Sequence, residues 1–415
     1  MFSRTSRDWR ALVAAICVAQ ATAIVGFDFT LPFIPLYLQN DLGVHGLGAV
    51  ALWSGLIGFG PSIPATIFGP VWGKLADRLG YRFMLLRAMI CASIILAMMG
   101  LSPSPWILLG LRMLQGALTG TVFAAQALVA SAVPEKETGR SIGLLQMSVF
   151  IGATMGPLGG GAVAALLDYR YCYLAAGLLL ALATLVVYLF AWEPARAAHS
   201  RTTDEAVSML SVIAIPAFGL ALALVLISQL AGTAMFPIIP LYVQDLLHSA
   251  RNVAPDTGWL MAAAGLTAGA GSYLAGRLQR HLPLKPLVGA AVLLSALLLI
   301  PQAFVQSYTE LLIVRCVATI AFGGLVSLVG MLAATTSPAR AKGTAFGLMG
   351  AASSMGFGAG PLLGGALTAT LGIRPIFVLA GLFLAGAPIA LLGAAALPRL
   401  IRTSFSPGLS RSEGS

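Results

Sequence analysis

The stretch Pro32–Gln39 reads PFIPLYLQ, and the stretch Pro237–Gln244 reads PIIPLYVQ. Two further matches occur at nearly the same separation of about 204 residues: Leu108 and Arg112 correspond to Leu311 and Arg315, and the pattern GxxxGPxxGG at 152–161 returns at 356–365. Three matches in one order at one separation are not expected by chance. The sequence therefore predicts a chain built of two equivalent halves in parallel orientation.

The composition indicates that lipid surrounds most of the chain. Of the 415 residues, 58% are hydrophobic and 9% are charged, whereas soluble domains carry about 25% charged residues. A membrane-spanning helix needs about 20 apolar residues, and twelve runs reach or approach that length. The predicted spans 1 to 12 cover 11–38, 47–72, 83–101, 105–130, 141–167, 171–192, 211–243, 256–278, 285–304, 309–333, 343–370 and 375–397. The predicted fold is an all-α polytopic membrane protein.

The domain organisation follows the repeat. The first six-helix half covers 1–192 and the second covers 211–397, and a polar linker at 193–210 joins them. The tail at 398–415 is rich in Ser, Gly and Arg, and this composition is typical of disorder. Parallel six-helix halves are typical of transporters that bind substrate near the bilayer midplane between the halves.

The basic residues predict the orientation. If the N-terminus is cytoplasmic, most of the 24 Lys and Arg residues fall on the cytoplasmic side, and only Arg170, Arg251 and Arg374 fall outside. This asymmetry follows the positive-inside rule and predicts a multi-pass protein of a bacterial inner membrane with both termini in the cytoplasm. The net charge of +10 forms no continuous stripe, so we expect no nucleic-acid partner.

Three motifs resemble those of one family. Gly73–Arg82 reads GKLADRLGYR, similar to the cytoplasmic loop signature of the major facilitator superfamily. In span 4, Leu108xxxArg112xxGln115-Gly116 is similar to that family's motif linked to proton transfer. The GxxxGPxxGG pattern in span 5 is similar to the motif that marks exporters. The chain resembles the twelve-helix drug:proton antiporters over nearly its whole length, which implies secondary active multidrug efflux by alternating access.

The resemblance also implies roles for the motif residues. A conformational latch at the loop between spans 2 and 3 would comprise Gly73, Asp77, Arg78, Gly80 and Arg82, with Asp77 holding one half to the other. The alternative is a solvated turn of mixed charge. The glycine motifs would let helices approach closely, and their prolines would bend them. This helix-packing set is Gly152, Gly156, Pro157, Gly160, Gly161, Gly356, Gly360, Pro361, Gly364 and Gly365.

A proton site is predicted at Asp28 and Arg112. Asp28 is the one acid well inside an apolar run, and Arg112 lies at a similar depth. An arginine in hydrocarbon costs about 2.5–3.5 kcal/mol on insertion scales, so it should face the bundle and find a partner. We expect Asp28 to carry the proton and Arg112 to tune it; the alternative is a salt bridge that never titrates. For Arg315, functional and structural roles remain open.

The predicted substrate pocket is mostly apolar, with sparse polar points. It comprises Gln20, Phe27, Phe29, Gln115, Phe123, Gln229, Met235, Phe236, Arg315, Phe322, Ser354, Met355 and Phe357. Aromatic and Met side chains adapt to varied shapes, which suits amphiphilic compounds, although any of these residues could instead belong to the core or face lipid. A proton-coupled importer of a small nutrient on the same fold is the alternative function.

Other classes fit less well. Gly356–Gly360 superficially matches a nucleotide loop but has no preceding strand, and the four cysteines have no metal or disulfide spacing. We therefore expect no enzyme activity, no metal and no cofactor, with the proton gradient as energy source. The expected partners are a small amphiphilic substrate, protons and the lipid bilayer, and the expected state is a monomer.

Overall fold

The computed structural model describes residues 9–193, 215–247, 253–336 and 342–386, and these parts are almost entirely helical. The first half contains α1 Trp9–Asp28, α2 Ile34–Asn40, α3 Leu47–Phe59, α4 Ser62–Leu79, α5 Tyr81–Gly100, α6 Pro105–Leu118, α7 Thr121–Ala132, α8 Glu135–Leu166 and α9 Tyr169–Phe190. The second contains α10 Pro216–Thr233, α11 Ile239–Leu247, α12 Val253–Leu278, α13 Leu284–Leu299, α14 Tyr308–Thr336, α15 Lys342–Leu371 and α16 Arg374–Gly386. All but the first residue of the linker 193–210, and the whole tail 398–415, lie outside the described residues.

Each predicted span has a helical counterpart, so the all-α polytopic fold is confirmed. Within the described residues, 8 helical stretches are long and apolar enough to cross a membrane. The other predicted spans correspond to α6 with α7, to α12, to α15 and to α16. Of these, α16 is followed for only part of predicted span 12.

The prediction of single uninterrupted helices in spans 1 and 7 is wrong. Span 1 stops at Asp28 and continues through a short 3-10 turn at Leu31–Phe33 into α2. Span 7 stops in the same way at Thr233, before α11. The cause is a pair of prolines in each copy of the repeat, Pro32 with Pro35 and Pro237 with Pro240, because proline has no backbone N–H and clashes with the preceding turn.

Spans 2 and 4 are also broken, and their breaks adjoin. Span 2 bends at Gly60-Pro61 and span 4 at Thr119-Gly120, where Gly120 has φ +127°. Gly116 lies directly against the backbone of Pro61, so no larger side chain fits between the two bends. The equivalent helices of the second half, α12 and α14, run without a break.

Two side chains satisfy the carbonyl groups that the break in span 4 leaves open. Trp72 Nε1 donates to the Ala117 carbonyl at 2.6 Å, and Arg87 donates to the Leu118 carbonyl at 2.9 Å. The Arg87 guanidinium lies 3.7 Å above the Trp72 ring. The end of α6 is therefore fixed by side-chain donors, as the last carbonyls of a helix require.

The predicted loop at Gly73–Arg82 is mostly helical. Helix α4 continues to Leu79, and Gly80, with φ +103°, makes the whole connection to α5. The Glu193 carboxylate accepts hydrogen bonds from the backbone N–H groups of Tyr81 and Arg82, both at 3.0 Å. Arg82 also donates to the Tyr188 carbonyl at 2.8 Å. Gly80 and Arg82 thus fasten α5 to the end of α9 within one half.

The other predicted latch residues are Arg78, Gly73 and Asp77. Arg78 lies exposed on the last turn of α4. The side-chain surroundings of Gly73 and Asp77 lie outside what the structure describes. Contact of Asp77 with the second half therefore stays a prediction.

Glycines of the span 5 and span 11 motifs mediate close helix packing within each half. Gly152 and Gly156 lie against the backbone of α1, and Gly160 lies against the Phe29 carbonyl. Gly356, Gly360 and Gly364 lie in the same way against α10. Because the two breaks of spans 1 and 7 sit beside these contacts, the motifs hold each broken helix in place.

The two halves touch each other at one end of the bundle. Gly365 of α15 meets the Ala51 backbone of α3, and Gly258 of α12 meets the Pro157 carbonyl of α8. All these contacts lie near the ends of the helices that are remote from Gly80 and from the basic residues around it. We call the end that carries Gly80 and the starts of α8 and α15 the basic face.

Toward the basic face the same helices separate. A Cβ placed at Gly69, Gly143, Gly269 or Gly350 would find no heavy atom of another described element within 4 Å. Met147 of α8 is 59% exposed and Tyr273 of α12 is 73% exposed. The molecule is therefore closed at the far end and open between its halves at the basic face.

We predict that Gly365→Ala shifts the protein away from this conformation. The added methyl group would overlap the Ala51 carbonyl and separate α3 from α15 at the closed end, a cost of about 1–3 kcal/mol for overpacking. Spin labels at positions 147 and 273 report the opening at the basic face, and their shorter-distance population should increase. Gly350→Ala, on the same helix with free space, is the matched control. Equal distance distributions in the two variants would contradict the proposed packing constraint.

Candidate functional site

Asp28 ends α1 at the break in span 1. Its Cβ lies beside Gly156 of α8, where any side chain larger than glycine would collide with it. Asp28 is half-buried. The other acidic residues whose surroundings the structure describes stand close to the loops at the two faces of the bundle. Asp28 is therefore placed inside the first half by a proline-induced break on one side and a glycine on the other.

Arg112 of α6 lies in the same region and is incompletely satisfied. It is 6% exposed, and its Nη1 donates to Gln115 Oε1 at 3.0 Å. Its Nε and Nη2 atoms are buried and have no hydrogen-bond partner among the described residues. Arg112 interacts electrostatically with Asp28, yet the two do not form an ion pair within 4.0 Å in the described part of the chain.

Gln20 connects this region to the break in span 4. Its side chain is fully buried, and its Nε2 donates to Thr121 Oγ1 at 3.2 Å. Thr121 is the first residue of α7, so the bond ties α1 to the segment beyond the break. The other end of the amide, Gln20 Oε1, is buried and has no partner among the residues that the structure describes.

Tyr173 of α9 belongs to the same region, and our sequence analysis missed it. It is 1% exposed, its ring centroid lies 4.9 Å from that of Tyr37, and its hydroxyl finds no hydrogen-bond partner in the described parts of the chain. Arg112 interacts electrostatically with Tyr173. The tyrosine carries no motif, and only comparison with its repeat counterpart, Phe377, could have singled it out. Asp28, Arg112, Gln115, Gln20 and Tyr173 are called the polar cluster below.

The second half repeats the geometry without the unsatisfied groups. Arg315 is 8% exposed, and its Nη1 donates to Gln302 Oε1 at 3.1 Å and to Met235 Sδ at 3.0 Å. Thr233 stands where the first half has Asp28, and Phe377 stands where it has Tyr173. The Tyr242 and Phe377 rings lie 5.3 Å apart, matching Tyr37 and Tyr173. Arg315 is thus held by neutral partners, which favours the structural role left open by the sequence.

The predicted pocket residues separate into different environments. Phe29 and Met235 are 6% and 0% exposed and belong to the packed core, so in this conformation neither can contact a substrate. Gln20 and Gln115 belong to the polar cluster, and Phe27 is half-buried against the hydrophobic core of the first half. The side chain of Phe123 lies outside the described residues.

A second group of predicted pocket residues lies together in the second half. Gln229 Nε2 donates to Ser353 Oγ at 3.0 Å. The Phe236 and Phe357 rings pack edge to face, with 6.0 Å between their centroids. The Phe322 ring lies against Gly232. Ser354 and Met355 are exposed. These residues of α10, α14, α15 and the turn after α10 therefore make two polar or aromatic pairs in the second half, Gln229 with Ser353 and Phe236 with Phe357.

We predict that Gln302→Leu lowers the thermal stability of the purified protein. The substitution leaves the buried Arg315 without its amide acceptor, which should cost about 1–3 kcal/mol. The control is Ser295→Ala on α13, which removes a buried hydroxyl that has no partner in the described structure and should cost little. Unfolding midpoints in detergent give the comparison, and equal midpoints for the two variants would refute a structural role for the Arg315–Gln302 bond.

The sequence and the fold both match known proteins. The Major Facilitator Superfamily model matches residues 16–254 and again 220–408. A "Multidrug resistance protein MdtG" of Enterobacter lignolyticus is 32% identical over 379 residues, covering 90% of each chain. A "Multi-drug resistance efflux pump PmrA homolog" of Lactococcus lactis is 32% identical over 360 residues, covering 86% of this chain and 88% of the other.

One solved structure shows the extent of the fold match. The crystal structure of a D-xylose–proton symporter superposes with a TM-score of 0.73 at 15% identity, covering 91% of this chain and 96% of the other. At this identity the match concerns the fold alone. Because the family model matches both halves and the fold agrees with it, the chain belongs to the Major Facilitator Superfamily.

Proposed function

We propose that the protein exports small amphiphilic compounds in exchange for protons, by alternating access across a bacterial inner membrane. The curated relatives named above are multidrug resistance proteins, which supports export. The Phe236–Phe357 ring pair supports an amphiphilic substrate, because aromatic walls contact apolar groups of varied shape. The positive-inside rule supports a cytoplasmic basic face, so that the opening described above would face the cytoplasm.

The observation that carries proton exchange is the difference between the two buried arginines. Arg315 donates from Nη1 to two neutral acceptors, and none of its nitrogens is both buried and unpaired in the described structure, whereas Arg112 keeps two buried nitrogens unpaired. Leaving such donors unsatisfied costs about 1–3 kcal/mol each, so the cluster is held away from its lowest-energy bonding in this conformation. A group of this kind can change partners when Asp28 gains or loses a proton.

Exchange follows if the cation and the proton compete for Asp28. The ionised carboxylate would favour a cationic substrate and would also attract Arg112, whereas the protonated carboxyl would favour neither. Because binding of the cationic substrate releases the proton, and binding of the proton releases the substrate, the movements of substrate and proton are coupled. This competition for Asp28 does not require a cofactor. Because each chain holds its own opening between its halves, we infer that a monomer suffices. We also infer that the protein transports its substrate without a catalytic reaction.

Movement between the two conformations would use the contacts between halves. In the state described here α3 packs on α15 and α8 packs on α12 at the closed end. We propose that Asp77 stabilises the opposite state, in which the basic face closes. The breaks at Gly60-Pro61 and Thr119-Gly120 would let the basic-face segments α4 and α7 move while α3 and α6 stay packed.

We predict that loss and overproduction of the protein change the host's drug susceptibility in opposite directions. Loss should raise accumulation of lipophilic cations, and overproduction should lower it. Inhibitory concentrations measured for cationic, neutral and anionic amphiphiles give the test, with Asp28→Asn at equal protein level as the control. Proton-coupled accumulation of a small nutrient by right-side-out vesicles would instead establish the importer function.

We predict that Asp28→Asn abolishes uphill transport driven by an imposed pH gradient, while downhill exchange of a neutral substrate persists. Arg112→Ala removes the cation beside the carboxyl group, so Asp28 should hold its proton to higher pH, and the pH dependence of substrate binding should shift upward. Transport and binding in proteoliposomes across pH give the measurement, with Asp245→Asn at the end of α11 as the control. If Asp28→Asn still concentrates substrate, then Asp28 is structural and coupling lies elsewhere, with Asp245 and Glu310 the next candidates.

A further inference from the structure

Tyr173 belongs to the polar cluster, and the proposed exchange gives its hydroxyl no role. Its side chain is 1% exposed and its hydroxyl has no hydrogen-bond partner in the described structure. Burying a hydroxyl without a bond is unfavourable, and the equivalent Phe377 shows that the fold accommodates a ring without it. A hydroxyl kept at this position therefore needs a partner in some other state of the cluster.

Arg112 is the strongest electrostatic neighbour of Tyr173 and has unpaired donors. It carries two unpaired buried nitrogens, and its electrostatic interactions include both Tyr173 and Asp28. The other titratable or charged groups that act on Tyr173 are Tyr37, Cys172 and Asp41. Tyr37 and Cys172 are already engaged, and Asp41 is engaged through one carboxylate oxygen, while its Oδ2 is buried without a partner in the described structure and Asp41 is the weakest of these electrostatic neighbours. The Tyr37 hydroxyl donates to the Met99 carbonyl at 3.0 Å, the Cys172 thiol donates to the Gly160 carbonyl at 3.5 Å, and Asp41 pairs with Arg170 at 3.2 Å.

The inference rests on the proposed role of Asp28 as proton carrier. We propose that Tyr173 is a positioning residue that accepts a hydrogen bond from Arg112 when Asp28 is protonated. With Asp28 ionised, Arg112 bonds to the carboxylate. With Asp28 protonated, that bond weakens and the guanidinium turns to the phenol oxygen of Tyr173. The arginine thus alternates between two acceptors, and an otherwise unpaired nitrogen gains a partner in either state.

The second half supports this assignment by contrast. There the arginine has permanent acceptors in Gln302 and Met235, the aspartate is replaced by Thr233, and the tyrosine is replaced by Phe377. A titratable acid and a spare hydroxyl therefore occur together in one half and are both missing from the other. A purely packing role for the ring would be served equally by phenylalanine, as it is at position 377.

The sign of the effect follows from which state Tyr173 stabilises. A partner for Arg112 in the protonated state helps Asp28 to keep its proton. Tyr173→Phe removes that partner, so the protonation midpoint of Asp28 should fall, by about one pH unit for one hydrogen bond to a charged group. Arg112→Ala should move the midpoint in the opposite direction.

Infrared difference spectroscopy of the purified full-length protein in detergent tests this without any substrate. The carbonyl stretch of the protonated carboxyl group is assigned to Asp28 by its loss in Asp28→Asn and is then followed across pH. Tyr37→Phe is the matched control. It makes the same chemical change on the neighbouring ring, whose hydroxyl is already bonded to the backbone. It should leave the midpoint unchanged.

The outcomes separate the inference from the proposed function. A lower midpoint in Tyr173→Phe and an unchanged one in Tyr37→Phe support the inference. An unchanged or raised midpoint in Tyr173→Phe, with Asp28 still titrating, overturns it and leaves proton exchange at Asp28 intact. A wild-type protein in which no Asp28 band titrates overturns both.

Discussion

A guanidinium buried in a membrane protein must find its hydrogen-bond acceptors inside the protein, because lipid offers none. This constraint applies twice in the chain, and the two halves meet it differently. Arg315 has fixed neutral acceptors, so its position contributes to stability. Arg112 has one amide acceptor and two unpaired nitrogens beside Asp28 and Tyr173. The halves differ here in a few side chains and in the break that follows Arg112, and this difference is the reason that we propose the proton-sensitive chemistry in the first half.

The backbone places those side chains through breaks and glycines. The break that proline imposes on span 1 ends α1 at Asp28, and Gly156 allows α8 to approach it closely. The break in span 4 follows the turn that carries Arg112 and Gln115, and Gln20 bonds to the first residue beyond it. The proposed change of partner at Arg112 would therefore occur next to the break in the same span. That proximity would connect proton binding to movement of the basic-face segments.

Much of the fold could be predicted from the sequence. Hydropathy and the repeat located most of the span ends that the structure describes to within a few residues. The breaks in spans 1, 2, 4 and 7 were not predicted, because hydropathy is unaffected when an apolar helix bends at Pro or Gly. The pocket stays a prediction, and two of its apolar residues are buried in this conformation. Phe29 and Met235 are apolar in sequence whether they face a substrate or a core, and only packing distinguishes the two. Tyr173 was missed because an unpaired hydroxyl can be recognised only in the structure. Alignment of the two halves does pair Tyr173 with Phe377.

The central claim is that Asp28 exchanges its proton for a cationic substrate. Proton release on binding tests it most directly, with tetraphenylphosphonium added to purified protein in lightly buffered detergent solution while pH is recorded. We expect the wild type to release close to one proton for each bound cation at a pH where Asp28 is protonated, and Asp28→Asn to release none. Equal proton release by Asp28→Asn at equal occupancy would contradict the claim.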